Sequence, residues 1–179
     1  MNDPASTPPS PDPLALMQRH GGLLRRIAWA WSRDDADRDD VLQEIAVQLW
    51  RVRERIDPRL REASFVARVA LNVAISFQRR ERRHRVGRAA ADVDHVADAS
   101  PCAGERDDER ARLRAAIDSL RDLDRALALL HLEGHDHAAI GEVLGISAAN
   151  VATKWWRIKT RLREQLVAKS MEERRCTTR

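Results

Sequence analysis

Apolar residues recur along most of this chain at spacings of three and four, which places them on one face of a helix. The first such stretch predicts a helix from about Pro13 to Trp31. A second helix is predicted to start among Ser32, Asp34 and Asp35, since these residue types suit a helix N-terminus, and to stop at Asp57-Pro58. Its apolar positions are Val41, Ile45, Leu49, Val52 and Ile56.

A third helix is predicted to start near Ser64 and to continue into an arginine-rich block. Its apolar stripe consists of Val66, Val69, Val73 and Phe77. From His84 to about Asp108 the periodicity disappears and Ala, Asp, Gly and Pro dominate. This composition predicts a flexible acidic linker.

Helical periodicity resumes at Leu113 and is broken at Gly134. A short helix is predicted from Asp136 to Leu144, and a long one from Ser147 to about Ala168. No segment shows the alternation of a strand, so the predicted fold is all-α, with two small helical domains joined by the linker. The predicted bounds are a Pro-rich disordered tail at 1–12, a first domain at 13–85, the linker at 86–108, a second domain at 109–170 and a disordered tail at 171–179.

Charge is segregated along the chain in a way that the net charge of +4 hides. The range Arg79 to Arg88 holds six arginines and one acid, and Ser147 to Arg163 holds five cations and no acid. Between them, Asp92 to Glu109 holds seven acids and one arginine. Basic blocks favour polyanionic partners, although solvated helix faces explain them equally well at this stage.

Several functional classes are unsupported by the sequence. Cys102 and Cys176 form no CxxC pair and no zinc spacing, which fits a reducing compartment. No apolar run reaches membrane-spanning length, and the N-terminus lacks the features of a signal peptide, so a cytoplasmic protein without membrane insertion is expected.

A histidine-rich segment is the one candidate for a metal site. His131, His135 and His137 lie close to Glu133 and Asp136. Gly134 interrupts the helix, however, and Asp136 is better explained as the N-cap of the next helix. With no nucleophile motif, P-loop or paired catalytic carboxylate either, the chain is expected to be neither an enzyme nor a holder of metal or cofactor.

The clearest motif is a predicted helix-turn-helix in the segment HAAIGEVLGISAANVATKWWRIK. Gly145 suits a turn that needs positive φ, Ser147 suits an N-cap, and Gly141 is small enough for close approach of the two helices. Ile140, Leu144 and Ile146 are expected to fill the space between them. The core face of the second helix is predicted to consist of Val151, Trp155, Ile158 and Leu162.

The opposite face of that helix predicts contact with duplex DNA. It carries Asn150, Lys154, Arg157 and Arg161, with Ala148, Ala149 and Thr153 at the leading end. The leading end of such a helix enters the major groove, while later cations meet phosphate. An ordinary hairpin with a solvated basic face is the weaker interpretation. For Trp156, packing on the preceding helices and contact with DNA backbone both stay open.

The first block is less informative on physical grounds. The second helix has an outer edge of Asp40, Gln43, Glu44, Val47 and Arg51, which alone reads as a solvated face. The third helix carries a mixed aromatic, polar and cationic stripe. That stripe consists of Phe65, Arg68, Asn72, Ser76, Arg79 and Arg83. It suits single-stranded nucleic acid, and it suits a simple polar face equally well.

Family resemblance decides between these interpretations. The segments DADRDDVLQEIAVQLW and SFVARVALNVAISFQRRERR resemble the second conserved region of sigma-70-type RNA polymerase sigma factors. The stretch from AIDSLRDLDRALALL to WWRIKTRLREQL resembles their fourth region. Nothing corresponds to the domain that larger sigma factors place between the two, which points to the extracytoplasmic-function group.

The resemblance implies specific roles. Asp40, Gln43 and Glu44 match positions that contact a coiled coil on the largest polymerase subunit, and the polymerase flap is a further implied contact. The third helix would open and capture the promoter −10 element, and the last helix would read the −35 element. The implied −10 residues are Phe65, Arg68, Asn72, Ser76, Arg79, Arg80 and Arg83. The implied −35 residues are Ala149, Asn150, Thr153, Lys154, Arg157 and Arg161.

Four positions depart from the family's usual pattern. Phe65 and Ser76 replace its usual Trp and Asp, which puts the base-capture contacts in doubt. Asn150 replaces a frequent Thr, which would alter the preferred −35 sequence, and Gly141 replaces a frequent Ala.

The implied partners are core RNA polymerase and promoter DNA, with an anti-sigma protein as a further candidate because most members of the family have one. A standalone helix-turn-helix regulator with an N-terminal partner-binding domain is the alternative function. A general nucleic-acid-binding module is a third.

Overall fold

Every regular element in the described part of the chain is a helix. The structure, a computed structural model, describes residues 12–53, 61–89 and 114–177. The helices are α1 (Pro13–Arg19), α2 (Gly21–Trp31), α3 (Asp35–Val52), α4 (Glu62–Ala89), α5 (114–118), α6 (Asp122–Leu132), α7 (His137–Leu144) and α8 (Ala148–Thr177). The predicted all-α class is confirmed.

The chain divides into two compact units, Met1–Ala74 and Ile75–Arg179, and the division falls inside α4. The sequence places its own domain boundary later, at residues 85 and 109. Those bounds stay a prediction, since residues 90–113 lie outside the described part of the chain.

The first unit has a core of large apolar side chains on α1, α2 and α3, which pack on one another in all three pairings. The most deeply buried are Leu16, Leu24, Ile27, Trp31, Val41, Ile45 and Leu49. The predicted stripe of α3 is therefore confirmed at Val41, Ile45 and Leu49. Its predicted continuation through Ile56 to Pro58 lies outside the described residues.

The first predicted helix is in fact two. The backbone leaves helical geometry at His20, with φ −104° and ψ 12°, so that α1 ends and α2 begins there. Gly21 and Gly22 follow directly and weaken any continuous helix. Glu62 holds this break from the start of α4, since it accepts a hydrogen bond from Arg19 at 2.9 Å and lies 2.8 Å from His20 Nε2.

Helix α3 begins where its acidic residues predict. The Asp34 side chain accepts a hydrogen bond from the backbone N–H of Asp37 at 2.7 Å and so caps the helix. Asp37 in turn pairs with Arg33 at 2.7 Å. Negative charge in the first turn is favourable because the helix N-terminus carries exposed N–H groups.

Helix α4 is longer than its sequence pattern predicts, and its buried face differs from the predicted one. It continues to Ala89 through Gly87, so residues 86–89, the first of the predicted linker, are helical. A single glycine costs about 1 kcal/mol, which an arginine-rich helix tolerates. Of the predicted stripe, Val66 and Phe77 are buried, whereas Val69 and Val73 are half-buried. The buried positions between them are Ala67, Ala70, Leu71 and Ala74.

In the second unit, α7 and α8 form the helix-turn-helix, and α6 packs against both. Helices α6, α7 and α8 pack on one another in all three pairings. Four side chains, Leu127, Leu130, Ile140 and Val151, are completely buried between them. Helix α8 continues to Thr177, beyond the predicted end near Ala168 and through the tail predicted to be disordered, because no Gly or Pro follows Gly145.

Among the described residues of this unit, one charged side chain is buried. Arg125 on α6 is only 2% exposed. Its Nη2 donates to the backbone carbonyl of Asp118 at 2.9 Å and lies 3.5 Å from a carboxylate oxygen of the same residue. Burial lowers the pKa of Arg125, while the carboxylates of Asp118 and Asp122 oppose that effect. The guanidinium therefore ties α6 to the end of α5.

The Arg125→Ala variant is expected to lower the free energy of unfolding by about 2–4 kcal/mol, because it leaves a cavity and deprives a carbonyl of its donor. Arg125→Met keeps most of the volume and removes a buried charge, so its loss should be less than half as large. Urea denaturation followed by circular dichroism measures both variants. Equal losses would show that charge, rather than volume, is what the core needs at this position.

Candidate nucleic-acid interface

The turn between α7 and α8 has the geometry that the sequence predicts. Asp136 caps α7 by accepting a hydrogen bond from the N–H of Ala139 at 2.7 Å. Gly145 ends α7 in the left-handed region, with φ 70° and ψ 33°. Glycine adopts this conformation without the cost that a Cβ would add.

Gly141 allows the two helices to approach closely. Its carbonyl accepts hydrogen bonds from the N–H groups of Gly145 and Ile146, the latter at 3.0 Å. A Cβ at this position would lie 2.5 Å from the carbonyl oxygen of Ile146. In this chain an added Cβ would therefore require the backbone of the turn to shift, although the family frequently has Ala at this position.

The inner face of α8 locks it against the rest of the unit. Ser147 Oγ accepts a hydrogen bond from the N–H of Asn150 at 3.2 Å, which confirms the predicted N-cap. Val151 and Ile158 are buried, as expected. Trp155 is half-buried, and its ring lies 3.9 Å from that of His131 on α6.

His131 is the most unusual titratable group beside α8. Its Nδ1 is buried without a hydrogen-bond partner among the described residues, and its ring also lies 5.9 Å from that of His137. Desolvation lowers the pKa of His131, and the nearby His137 and Lys159 lower it further. The neutral imidazole is therefore the form that fits this packing.

His131 is expected to make stability depend on pH. The unfolded chain gives this group a pKa of about 6.5. Because the folded pKa is lower, the unfolded state binds more protons between the two values, and the free energy of unfolding falls as the pH drops below about 6.5. It stops falling below the folded pKa. Urea denaturation across about pH 5 to pH 8 measures this slope.

The His131→Phe variant is the matched comparison, since it keeps an aromatic ring against Trp155 and removes the titrating group. Its free energy of unfolding should fall less steeply with decreasing pH than that of the parent chain. An identical slope in the two proteins would assign the effect to other groups.

The exposed face of α8 is not centred on the stripe of cations that the sequence predicts. Ala149, Asn150, Thr153 and Arg157 are exposed, as expected of DNA-contacting residues. Lys154, by contrast, is half-buried and lies 3.7 Å from Asp124 on α6. Arg161 is exposed but its Nη2 donates to the carbonyl of Ser119 at 3.3 Å. Two of the six predicted −35 residues thus also brace α8 against its own unit.

The predicted −10 residues on α4 differ in exposure. Asn72, Ser76, Arg79, Arg80 and Arg83 are exposed. Phe65 and Arg68, near the start of the helix, are half-buried, so the predicted residues do not form one uniformly exposed stripe. Within the second unit, Arg79 Nη2 lies 3.1 Å from a carboxylate oxygen of Asp122. The Arg80 guanidinium lies 5.3 Å from the centre of the Phe77 ring.

The predicted polymerase-binding edge on α3 is an acidic face with an apolar component. Asp40 and Gln43 are exposed and Glu44 is half-buried. Val47 and Trp50 lie on the same side and are 44% and 59% exposed. Sequence reasoning missed Trp50, although its position three residues after Val47 places it beside this edge.

The histidine-rich segment does not assemble a metal site. In the part of the chain that the structure describes, no three His, Cys, Asp or Glu side chains come together as potential ligands. Asp136 is engaged as a helix cap instead. No described helix is long and apolar enough to cross a membrane.

Comparison with known proteins extends the geometric picture. The family model for sigma-70 region 2 matches residues 16–84. The ECF RNA polymerase sigma factor SigK of Mycolicibacterium vanbaalenii is 32% identical over 156 residues, covering 82% of this chain and 72% of the relative. SigE of Mycolicibacterium smegmatis is 29% identical over 161 residues, covering 88% of this chain. The alignment spans only 62% of the length of that SigE protein.

Two solved structures share the fold. One is CnrH in complex with the cytosolic domain of CnrY, with a TM-score of 0.65, 24% identity and coverage of 87% of this chain and 88% of CnrH. The other is the sigma factor RpoE in complex with the anti-sigma factor NepR from Bartonella quintana. It has a TM-score of 0.63, 17% identity and coverage of 85% and 96%. The two structures show the shared fold, and the 32% identity to SigK over 72% of that relative shows that the chain belongs to the ECF family of RNA polymerase sigma factors.

Proposed function

We propose that this chain binds core RNA polymerase and directs it to promoters whose −35 and −10 elements it recognises. The observation that carries the proposal is the helix-turn-helix, in which a fixed turn presents an outer face of α8 that carries no acid from Ser147 to Arg163. Family membership supplies the polymerase as partner. The protein then acts by binding and positioning, without a catalytic step of its own and within the cytoplasm.

Recognition of the −35 element is assigned to the leading half of α8. The amide of Asn150 can pair with adenine, and the methyl groups of Ala149 and Thr153 can contact the methyl of thymine. Arg157 is exposed further along the helix, where phosphate contacts are expected. Lys154, which is paired with Asp124, and Arg161, which donates to the carbonyl of Ser119, hold α8 in place.

Opening of the −10 element is assigned to α4. Asn72, Ser76 and Arg79 are exposed at successive turns and offer amide, hydroxyl and guanidinium groups. Such groups can bond the edges of unstacked bases and the backbone of a single strand. Trading base pairs for these contacts requires no catalytic residue. Phe65 and Arg68 are half-buried and would have a smaller part in this contact.

Binding of core polymerase is assigned to the outer edge of α3, which contains Asp40, Gln43 and Glu44. An acidic edge with adjoining apolar area suits a partner helix that carries cations and apolar residues. The flap of the polymerase would meet the second unit. An anti-sigma protein is proposed as a regulator, supported by the fact that the related sigma factor RpoE was solved in complex with the anti-sigma factor NepR.

Run-off transcription tests the proposed function. Core polymerase from the same bacterium is combined with sheared genomic DNA, with and without this chain, and the transcripts are sequenced. Transcripts that start at defined sites only in the presence of the chain are the expected result. A standalone regulator would bind duplex DNA and give no new start sites, and that outcome would overturn the sigma-factor proposal.

The Arg157→Ala variant is expected to weaken binding to duplex DNA and to reduce the salt dependence of the affinity by about one phosphate contact. Lys154→Ala is the matched control, since it removes one cation from the same helix at a site that Asp124 already neutralises. Fluorescence anisotropy at several salt concentrations gives both slopes. A larger change of slope for Lys154→Ala than for Arg157→Ala would reverse the assignment.

A further inference from the structure

Trp156 is the most exposed large apolar side chain in the described part of the protein. It is 68% exposed, and no ring contact with another described residue accompanies it. An indole gains stability by burying its large surface, so a fully presented one on a structured helix marks a contact site. Packing against the preceding helices, which the sequence left open, is excluded by this exposure.

The neighbours of Trp156 on α8 form a strip of small residues. Ala152, Thr153 and Thr160 lie three or four positions from Trp156, Ala149 lies seven positions before it, and all four are exposed. The hydroxyls of Thr153 and Thr160 donate to the carbonyls of Ala149 and Trp156, at 3.1 and 3.0 Å. These hydroxyl protons are used within the helix, so the strip offers apolar contact more than hydrogen-bond donors. We call these five residues the outer strip.

Charge identifies what covers the outer strip. Exposed cations border it on both sides, with Arg157 on one side and Lys159 and Arg163 on the other. No acid occurs from Ser147 to Arg163. This surface matches a polyanion with apolar groups beneath its charges, which describes the sugar and phosphate chain of DNA better than an ordinary protein surface.

Position along the helix indicates which part of the DNA is met. Trp156 follows Ala148 by eight residues, which places it about 12 Å from the start of α8. Base edges are read at the leading end of a recognition helix, and its later turns meet the wall of the groove. The wall offers deoxyribose, an apolar surface for the indole ring, and phosphate oxygens that accept from Nε1–H.

We propose that Trp156 anchors α8 to duplex DNA by packing its indole on a deoxyribose and donating Nε1–H to the adjoining phosphate. The inference rests on the proposed binding of duplex DNA by α8 and adds a contact that is neutral and independent of base sequence. Such a contact fixes how deeply the helix sits in the groove, while the residues before it distinguish the bases.

Anisotropy with the full chain and a labelled duplex of about three helical turns tests the anchor at low salt. Because the contact does not depend on sequence, a duplex of arbitrary sequence serves as the probe. Trp156→Ala should lower the affinity about tenfold. The affinity of Trp156→Phe, which keeps a ring and loses the donor, should lie between those of Trp156→Ala and the parent chain. The slope of affinity against salt should stay unchanged, because no cation is removed.

Leu132→Ala is the matched control. Leu132 is 67% exposed in the same unit but lies on α6, so its removal should leave the affinity unchanged. Circular dichroism confirms that each variant is folded, as expected for exposed positions.

Three results would overturn the anchor. They are an unchanged affinity of Trp156→Ala, a loss confined to one base sequence, and a reduced salt slope. Unchanged duplex affinity with loss of run-off transcription would assign Trp156 to a polymerase contact instead. The test is separate from that of the proposed function, since a chain that binds duplex through Trp156 but never initiates transcription would refute only the sigma-factor assignment.

Discussion

Substituting Asp40 and Glu44 together by alanine is expected to weaken binding to core polymerase roughly 100-fold, since each substitution would leave a cation of the polymerase without its charged partner in a desolvated interface. Asp40 is exposed and Glu44 half-buried on the outer edge of α3, so the free energy of unfolding should change by less than about 1 kcal/mol. Duplex binding, which is assigned to α8, should stay intact. Surface-immobilised core enzyme measures the affinity, and anisotropy measures duplex binding.

The double variant Asp35→Ala with Asp39→Ala is the control for this experiment. It removes the same charge from the same helix, at exposed positions rotated about 100° or more from Asp40 and Glu44. Its affinity for core enzyme should remain close to that of the parent chain. If both double variants bind equally weakly, the polymerase responds to the charge of the whole helix and the assigned edge is wrong.

Replacing Gly141 by alanine is expected to destabilise the helix-turn-helix by about 1–3 kcal/mol and to lower duplex affinity with it. The added Cβ would lie 2.5 Å from the carbonyl oxygen of Ile146, and a backbone atom cannot move aside as a flexible side chain can. The gain in helix propensity, up to about 1 kcal/mol, does not offset that contact. Urea denaturation and anisotropy measure the two effects.

Gly22→Ala provides the comparison for this glycine. A Cβ there would approach only the mobile end of the Arg26 side chain, at 3.3 Å, so alanine in α2 should leave stability unchanged or raise it by about 0.5–1 kcal/mol. If Gly141→Ala were equally harmless, the turn would be able to open without loss, and close approach would not be what the small residue provides.

The parts of the fold that sequence predicts well depend on local chemistry. Asp34, Asp136 and Ser147 cap helices where their side chains can reach an N–H three residues ahead, and Gly145 adopts the positive φ of its turn. These outcomes follow from short-range geometry that a sequence states directly.

Long-range packing explains what the sequence left undetermined. The core stripe of α4 uses Ala67, Ala70 and Ala74, because small residues pack where another helix lies close, whereas periodicity alone gives more weight to Val69 and Val73. At the break between α1 and α2, His20 contacts Glu62, some forty residues away along the chain.

The candidate site shows the same division. A helical wheel arranges the cations of α8 on one stripe but cannot say which of them meet partners inside the protein. Lys154 meets Asp124, and Arg161 meets the carbonyl of Ser119, so the outward face is centred nearer Trp156 than the cations suggest. The exposure of Trp156 and Trp50 likewise emerges only once the packing of the neighbouring helices is known.

The side of α8 that contacts its own unit and the side that is exposed differ in how freely they can change in evolution. A substitution at Lys154 or Arg161 alters contacts with α6 or with the end of α5, so a change of promoter preference there brings a change of stability. Ala149, Ala152 and Thr153 touch no such support and are exposed. Under the proposed assignment of −35 recognition to α8, promoter preference can therefore diverge between duplicated copies of this protein at those three positions while the fold that presents them is conserved.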